Sequence, residues 1–135
     1  MMPATLSSTT IGAHSPLRIL VADDNEMLRV AVRGLLQRLG HSVDVVTNGR
    51  EAVEAASRED FDLLLLDVQM PEMDGFEAAR SLRHRLGGGR RPRIIGVSGE
   101  GAERESCAAA GMDDFLIKPF RLADLVRVIK HYGPS

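Results

Sequence analysis

The sequence has one cysteine, little net charge and no long hydrophobic run. These shortages argue against an internal disulfide, charge-driven binding to nucleic acid or membrane, and a membrane-spanning helix. Cys107 has no partner for an internal disulfide, and a lone cysteine among alanines is typical of a small packing residue. A net charge of -2 gives no global field to attract nucleic acid or an anionic membrane. The longest leucine run, Leu63 to Leu66, is too short for a span, and the N-terminus lacks a basic start followed by an apolar stretch. We therefore expect a soluble, cytoplasmic protein with no direct contact to membrane or nucleic acid.

The composition is that of one ordinary globular domain. The chain has 135 residues, 44% of them hydrophobic and 27% charged, which suits a single core. Residues 1–16 include six Ser or Thr and no Asp, Glu, Lys or Arg, so we expect a disordered tail or linker there. The expected domain covers residues 17–132, and residues 133–135 form a C-terminal tail.

Strand-like and helix-like segments alternate five times through this domain. Parallel neighbouring strands need crossover helices, and right-handed crossovers pack back onto the sheet. The pattern therefore predicts an α/β fold with a parallel sheet and helices on both faces. The predicted strands are 18–22, 43–46, 63–66, 93–97 and 115–117, and the predicted helices cover 28–39, 52–56 after an Asn48 cap, 76–86, 102–110 and 122–129.

Asp67 follows the leucine run directly and precedes two turn signals, Met70-Pro71 and Asp74-Gly75. Four leucines in a row predict a strand that is buried on both faces. A carboxylate at the end of such a strand is costly unless it has a cation, a set of hydrogen bonds or a chemical role. Asp67 is therefore the centre of the candidate site.

Polar residues also stand at the ends of three other predicted strands, namely Asp23 and Asp24, Ser98, and Lys118. Ligands of open α/β sheets bind outside the carboxyl ends of the strands, so these residues should converge on Asp67. Three carboxylates in one crevice repel each other unless a cation lies among them, and ligand sets made only of oxygen favour Mg2+ over Zn2+. With Mg2+ and Lys118 in place, such a site suits a phosphoryl group that Asp67 attacks and Ser98 hydrogen-bonds.

From Arg18 to His131 the chain resembles the receiver domain of two-component response regulators. The resemblance rests on four motifs in order: the acidic pair Asp23-Asp24, the run from Asp67 to Gly75, the hydroxyl residue Ser98, and Lys118-Pro119-Phe120. It implies a flavodoxin-like, doubly wound (βα)5 sandwich with a five-stranded parallel sheet of order 2-1-3-4-5.

The resemblance implies a phosphorylation site and a magnesium site. Asp67 is the implied phosphoacceptor. Asp24 and Asp67 are implied to bind Mg2+ directly, with the backbone carbonyl of Gln69 as a third protein ligand and Asp23 acting through water. In the family the bond that corresponds to the one between Lys118 and Pro119 is usually cis.

The resemblance also implies a switch. Ser98 and Lys118 bind the phosphate, and the movement of Ser98 toward it opens space for the Phe115 ring to turn inward. Ser98 stands where Thr is commoner, and Phe115 where Tyr is also frequent. Gln69 and Glu100 occupy family positions that tune how fast water removes the phosphate.

The implied donor is a phosphohistidine protein, either a histidine kinase or a histidine phosphotransfer protein, docking near Asn25, Met27, Leu28 and Pro119. The implied output surface combines the fourth helix, the fifth strand and the fifth helix. The run after Asp67 looks especially like receivers of hybrid sensor histidine kinases, and a standalone regulator is equally consistent. The cognate kinase, the output and phosphorylation-dependent homodimerisation stay open.

Two other functions would use part of the same residue pattern. A Mg2+-dependent phosphohydrolase with an aspartyl nucleophile would share Asp67 and Lys118, but it would be expected to carry Asp where Gln69 stands. A degenerate receiver would have lost an acidic residue or the lysine, and none is lost. The prediction is a signalling phosphoacceptor and not an enzyme, although a longer parent chain could be a histidine kinase.

Simpler interpretations exist for several motifs. Asp23-Asp24 could cap the first helix, Asp74-Gly75 is typical of a turn, and Gly87–Gly89 suits a helix stop. A basic cluster without interleaved aromatics is typical of a solvated helix face and loop. Its members are Arg80, Arg83, His84, Arg85, Arg90, Arg91 and Arg93.

Overall fold

The computed structural model describes residues 16–86, 92–99 and 104–132, in which five strands alternate with five helices. The strands form one parallel sheet in the order β2-β1-β3-β4-β5, which confirms the predicted doubly wound fold. The strands are β1 (Arg18–Ala22), β2 (Ser42–Val46), β3 (Leu63–Asp67), β4 (Arg93–Ser98) and β5 (Asp114–Ile117), and the helices are α1 (Glu26–Arg38), α2 (Gly49–Arg58), α3 (Gly75–Leu86), α4 (Arg104–Ala109) and α5 (Leu122–Tyr132).

The leucine run of β3 is buried on both faces of the sheet, as predicted. Leu64 and Leu66 pack with α2, α3 and α4, whereas Leu63 and Leu65 pack with α1 and α5. Because successive side chains of a strand point to opposite faces, a central strand between two helix layers needs apolar residues at every position. Asp67 therefore ends the most deeply buried strand.

Asparagines cap the first two helices. Asn25 caps α1 and Asn48 caps α2, each by accepting a backbone N–H of the first turn through its side chain. The Asn48 cap was predicted, whereas the alternative that Asp23-Asp24 cap α1 is wrong. Asn25 takes that role, and its own backbone N–H donates to Oδ1 of Asp23 at 2.8 Å.

The interpretation of Asp74-Gly75 as a simple turn is also corrected. Asp74 and Glu77 form a capping box, because each side chain accepts the backbone N–H of the other, at 2.9 and 3.2 Å. Gly75 is the first residue of α3 and lies against the backbone of the acceptor strand. An added Cβ there would lie 2.9 Å from both the carbonyl carbon of Asp67 and the Cα of Val68.

Some element boundaries and orientations differ from the predictions. β4 continues to Ser98 and β5 begins at Asp114. In α5 the buried side chains are Leu125, Val128 and Ile129, while Val126 is half-buried and Leu122 is 44% exposed. The predicted start of the fourth helix at Ala102 and the glycines 87–89 lie outside the described residues.

Part of the predicted basic cluster is not a solvated face. Arg83 is only 17% exposed, and its Nη2 lies 2.8 Å from Oδ2 of Asp113. Its Nε donates to the carbonyl of Gly111 and its Nη1 to the carbonyl of Pro92. The solvated interpretation is wrong for Arg83, because the loops before β4 and β5 supply its partners. Arg80, His84 and Arg85 are exposed, and Arg90 and Arg91 lie outside the described residues.

Asp113 gathers further donors at the amino edge of the sheet. The backbone N–H of Ile94 donates to its Oδ2 at 2.8 Å, and Nη1 of Arg93 lies 3.4 Å from its Oδ1. The Tyr132 hydroxyl donates to its backbone carbonyl at 3.2 Å. We call Asp113 with Arg83, Arg93 and the Ile94 N–H the Asp113 clamp; it joins α3, β4 and the start of β5.

Within the described ranges, each helix is too short or too polar to traverse a bilayer.

Candidate functional site

The carboxyl edge of the sheet brings the polar strand ends together. Asp23 and Asp24 follow β1, Asp67 ends β3, and Ser98 ends β4. Lys118 follows β5, and its backbone N–H donates to the carbonyl of Ser98 at 2.7 Å. The register of four parallel strands thus places side chains from distant parts of the chain at one edge.

Lys118 bridges two of the acids. Its Nζ lies 3.0 Å from Oδ2 of Asp67 and 3.1 Å from Oδ2 of Asp23. Both carboxylates are buried, with 5% and 3% residue exposure respectively. The peptide bond between Lys118 and Pro119 is cis, as the family resemblance implied. The ammonium compensates one of the charges that the fold buries.

Asp67 uses one carboxylate oxygen for each of its partners. Oδ1 accepts the backbone N–H of Gln69 at 3.0 Å, and Oδ2 accepts Nζ of Lys118. Burial raises the pKa of Asp67, the two hydrogen bonds lower it, and the nearby charge of Asp23 raises it further. The net pKa lies above the ordinary value, so the surroundings undercompensate this carboxylate.

The same environment acts on Lys118 in the opposite sense. Burial lowers the pKa of its ammonium, but the hydrogen bonds and charge attraction from Asp67 and Asp23 outweigh burial and leave the pKa above its ordinary value. Lys118 is therefore a fixed positive charge at neutral pH.

Three carboxylates form a cluster with the composition of a divalent cation site. Asp23, Asp24 and Asp67 each offer an oxygen, and these oxygens lie within 4.8 Å of one another. Asp24 is exposed, while the other two are buried. One ammonium leaves the trio with excess negative charge, and all its donors are oxygen, the set that suits Mg2+. The residues present therefore fit a hard divalent ion.

Asp24 and Asp67 of the trio line a cleft of about 740 Å³ at the carboxyl edge. The segment after β3 forms much of its wall, and Gln69 lies on it, where its backbone carbonyl was implied as a metal ligand. The lining residues are Asp24, Asn25, Asp67, Val68, Gln69, Met70, Pro71, Asp74, Phe76, Gly99 and Lys118.

The two implied switch residues lie on neighbouring strands. Ser98 is fully buried at the end of β4. Phe115 is half-buried in β5 beside Gly96, two positions before Ser98 in β4. The guanidinium carbon of Arg104 lies 4.9 Å from the centre of the Phe115 ring. Glu100, the second implied tuning residue, lies outside the described residues.

Sequence reasoning missed two cations beside the site. It gave Arg29 no part in the site, but the Nη1 of this residue donates to the backbone carbonyl of Asp23 at 2.8 Å. It gave Arg104 no role, although this residue covers the implied switch ring. The signal for Arg29 was its place one helical turn after the Asn25 cap, where a long side chain reaches back to the acidic pair.

Known proteins resemble this chain in sequence and in structure. Hybrid signal transduction histidine kinase G of Dictyostelium discoideum is 38% identical over 128 residues, which is 92% of this chain and 4% of that kinase. The receiver domain of sensor histidine kinase PA1611 of Pseudomonas aeruginosa, solved with magnesium in its active-site cleft, is 35% identical with a TM-score of 0.79, over 87% of this chain and 98% of that one. The receiver domain of Ssk1, solved with the histidine phosphotransfer protein Ypd1 of Saccharomyces cerevisiae, is 23% identical and shares the fold, with a TM-score of 0.80 over 87% of this chain and 89% of that one.

Sheet order and acid cluster define a class of doubly wound domains with an anionic site at the carboxyl edge. Residues 19–130 match the family model of the response regulator receiver domain, and the chain belongs to this family. It is a receiver domain of two-component signalling, similar to those of response regulators and hybrid histidine kinases. The chain spans only a small part of the hybrid kinases that it matches.

Proposed function

We propose that Asp67 accepts a phosphoryl group from a phosphohistidine protein, with Mg2+ held by Asp24, Asp67 and the backbone carbonyl of Gln69. Asp23 acts on the ion through water. The observation that carries the proposal is the placement of a buried, undercompensated carboxylate 3.0 Å from a lysine and inside an acid trio. Each of these groups has a role in phosphoryl transfer, and the burial and mutual repulsion of the carboxylates would be unfavourable without such a role.

The transfer moves one phosphoryl group between two side chains. An oxygen of Asp67 attacks phosphorus in line as the bond from phosphorus to the donor imidazole nitrogen breaks, and the electron pair of that bond returns to the ring. A bound magnesium ion supplies positive charge to the phosphoryl oxygens. Lys118 supplies a second positive charge and Ser98 a hydroxyl donor, so the chain contributes positioning and charge neutralisation rather than acid or base catalysis.

The readout of phosphorylation follows from the same residues. Ser98 and Lys118 bind the phosphate, and the movement of Ser98 lets Phe115 turn inward. The output surface consists of α4, β5 and α5, where Ile117 and Leu122 are 45% and 44% exposed. Gln69 and Glu100 tune the hydrolysis of the phosphate.

The donor is a histidine kinase or a histidine phosphotransfer protein, the kind of protein found with the Ssk1 receiver. It docks around the cleft at Asn25, Met27, Leu28 and Pro119. Met27 is 83% exposed on the first turn of α1, which supports an apolar contact there.

The receiver unit covers residues 17–132 and works in the cytoplasm as a phosphoacceptor without substrate turnover. The tails expected at residues 1–16 and 133–135 lie, apart from Pro16, outside the described residues. The receiver unit acts either alone or as part of a hybrid histidine kinase. The kinase relatives favour the second setting, since their receiver is one segment of a much longer chain.

Intact-mass spectrometry with a small phosphodonor and Mg2+ tests the proposal. Wild type should gain the mass of one phosphoryl group and Asp67→Ala none. Asp60→Ala, a change at an exposed aspartate outside the cleft, is the matched control and should be labelled like wild type. An unlabelled wild type, or an adduct that persists in Asp67→Ala, contradicts the assignment. Continuous release of inorganic phosphate from phosphate monoesters would instead favour the phosphohydrolase alternative.

A further inference from the structure

The wall of the cleft that carries Gln69 is held from the side by the start of α2. The backbone N–H of Gly49 donates to the carbonyl of Met73 at 2.9 Å. The guanidinium of Arg50 forms an ion pair with the carboxylate of Glu72. Glu72 has a φ of 68°, a left-handed conformation that is uncommon for a residue with a side chain. Both contacts therefore fall at Glu72 and at its neighbour Met73, where the backbone conformation is uncommon.

Gly49 is required there for space. It is buried, and an added Cβ would collide with the carbonyl oxygen of Met73. The same Cβ would lie 2.8 Å from the carbonyl carbon of Met73 and 3.0 Å from the carbonyl oxygen of Asp74. All three are backbone atoms and cannot rotate away as the end of a side chain can. Any larger residue must move either α2 or the segment.

The helix is the less movable partner. Asn48 caps it by accepting the N–H of Glu51 at 2.8 Å, and the Glu51 carboxylate accepts the N–H of Thr47 at 2.7 Å. Ala52 and Val53 are buried in the core behind this first turn. Caps and core contacts thus fix the position of Gly49 from both sides, so the segment yields first.

The segment from Val68 to Gly75 is also constrained by hydrogen bonds within it. Its ends are joined because the N–H of Gly75 donates to the carbonyl of Val68 at 3.2 Å. Inside it, the N–H of Met73 donates to the carbonyl of Pro71 at 2.7 Å, and proline fixes one dihedral of the chain. Gln69 follows Val68 directly, so a displacement at Met73 changes the path of the chain at Gln69.

We propose that Gly49 and Arg50 are positioning residues for the metal, because they hold the segment that presents the backbone carbonyl of Gln69. The inference rests on the proposed magnesium site. A small shift of one oxygen matters because Mg2+ demands near-ideal octahedral geometry.

The test is Mg2+ affinity, measured by isothermal titration calorimetry on the full chain without phosphodonor. Gly49→Ala should weaken the affinity at least about tenfold. The matched control is Gly34→Ala in the middle of α1, where an added Cβ meets nothing within 4 Å. That change should leave the affinity unaltered and favour the helix slightly. Equal losses in both variants, or no loss in Gly49→Ala, overturn the inference.

A second pair of variants avoids any risk to folding, since Arg50 and Glu72 are well exposed. Arg50→Glu should weaken Mg2+ binding about two- to fivefold, the range of an exposed ion pair. Adding Glu72→Arg restores opposite charges and should recover the affinity. A single variant that binds like wild type, or a double variant without recovery, counts against Arg50. If wild type itself binds no Mg2+, the proposed function fails first.

Discussion

Burial raises the pKa of Asp67, whereas the charge of Lys118 lowers it. The fold takes the carboxylate out of water, and one ammonium and one N–H return only part of the lost stabilisation. Folding without metal therefore favours the protonated form. An acid whose pKa is higher in the folded state contributes stability below its unfolded value, and this contribution is lost as pH rises through the folded value.

We predict that Asp67→Asn is more stable than wild type at pH 7 in the presence of a chelator. Asparagine keeps an acceptor for Lys118 without the buried charge, and the melting temperature should rise by about 3 °C or more. The advantage should shrink as pH falls toward the ordinary value of 3.8, because Asp67 then takes up a proton in the folded state. Thermal unfolding followed by circular dichroism at several pH values measures this. Asp60→Asn should show no such difference, and a less stable Asp67→Asn at pH 7 would mean that the ion pair outweighs burial.

Sequence patterns predict residues well when their chemistry is local to a strand end. Asp67 stood out because a charge after four leucines has a cost that the leucines themselves reveal. Arg83 and Gly49 did not stand out, because their partners Asp113 and Met73 lie on other elements. Burial creates their importance, and burial of an arginine or a glycine leaves no mark in local spacing.

At the scale of elements, the Asp113 clamp joins α3, β4 and the start of β5 at the edge of the sheet opposite the site. Asp113 lies just before β5 and is 14% exposed on its side chain. It binds α3 through Arg83 and β4 through Ile94. The clamp stabilises the amino edge of the sheet, while Lys118 binds Asp67 and Asp23 at the carboxyl edge.

We predict that Asp113→Ala lowers the free energy of unfolding by about 2–4 kcal/mol, because it leaves a largely buried guanidinium without its carboxylate. Urea denaturation measures the change. Arg93→Ala is the comparison: Arg93 is 48% exposed and lies 3.4 Å from Asp113, so its loss should cost less than about 1 kcal/mol. Equal effects of the two changes would show that the clamp does not depend on the buried pair. Phosphorylation of Asp67 should persist in both variants.

Element order was predictable and element ends were less so. The five alternations of strand-like and helix-like pattern predicted the elements, and the family resemblance implied their order in the sheet. The structure has that order. Asn25 and Asp74 show why boundaries are harder. Asn, Asp and Gly all suit caps, turns and sites, and only the three-dimensional partners decide which role each residue takes.

At the scale of the whole molecule, the site has no existence outside the folded chain. Its acids and its lysine come from three strand ends, and the hydroxyl of Ser98 comes from a fourth. A ligand that bridges them binds the folded state and not the unfolded one. Binding should therefore appear directly as stability.

We predict that Mg2+ raises the melting temperature of wild type, and that the rise continues with the logarithm of the Mg2+ concentration once this exceeds the dissociation constant. A concentration one hundred times the dissociation constant should add about 2.7 kcal/mol. Asp24→Ala should lose most of this gain. Because Asp24 is exposed, its removal should leave the stability of the metal-free protein nearly unchanged. Differential scanning calorimetry with MgCl2, and with NaCl at equal ionic strength, separates the two effects; an undiminished gain in Asp24→Ala would remove this residue from the metal site.

Tyr132 is the only tyrosine of a chain without tryptophan, and its hydroxyl binds the backbone of Asp113 at the amino edge. The length of β5 separates it from Lys118. Ultraviolet emission of the natural protein is thus sensitive to how the last helix docks, and it reports on the cleft only through that helix. A direct optical probe of the cleft has to be introduced, and Phe76, an aromatic residue already on the cleft wall, is the natural position for an indole.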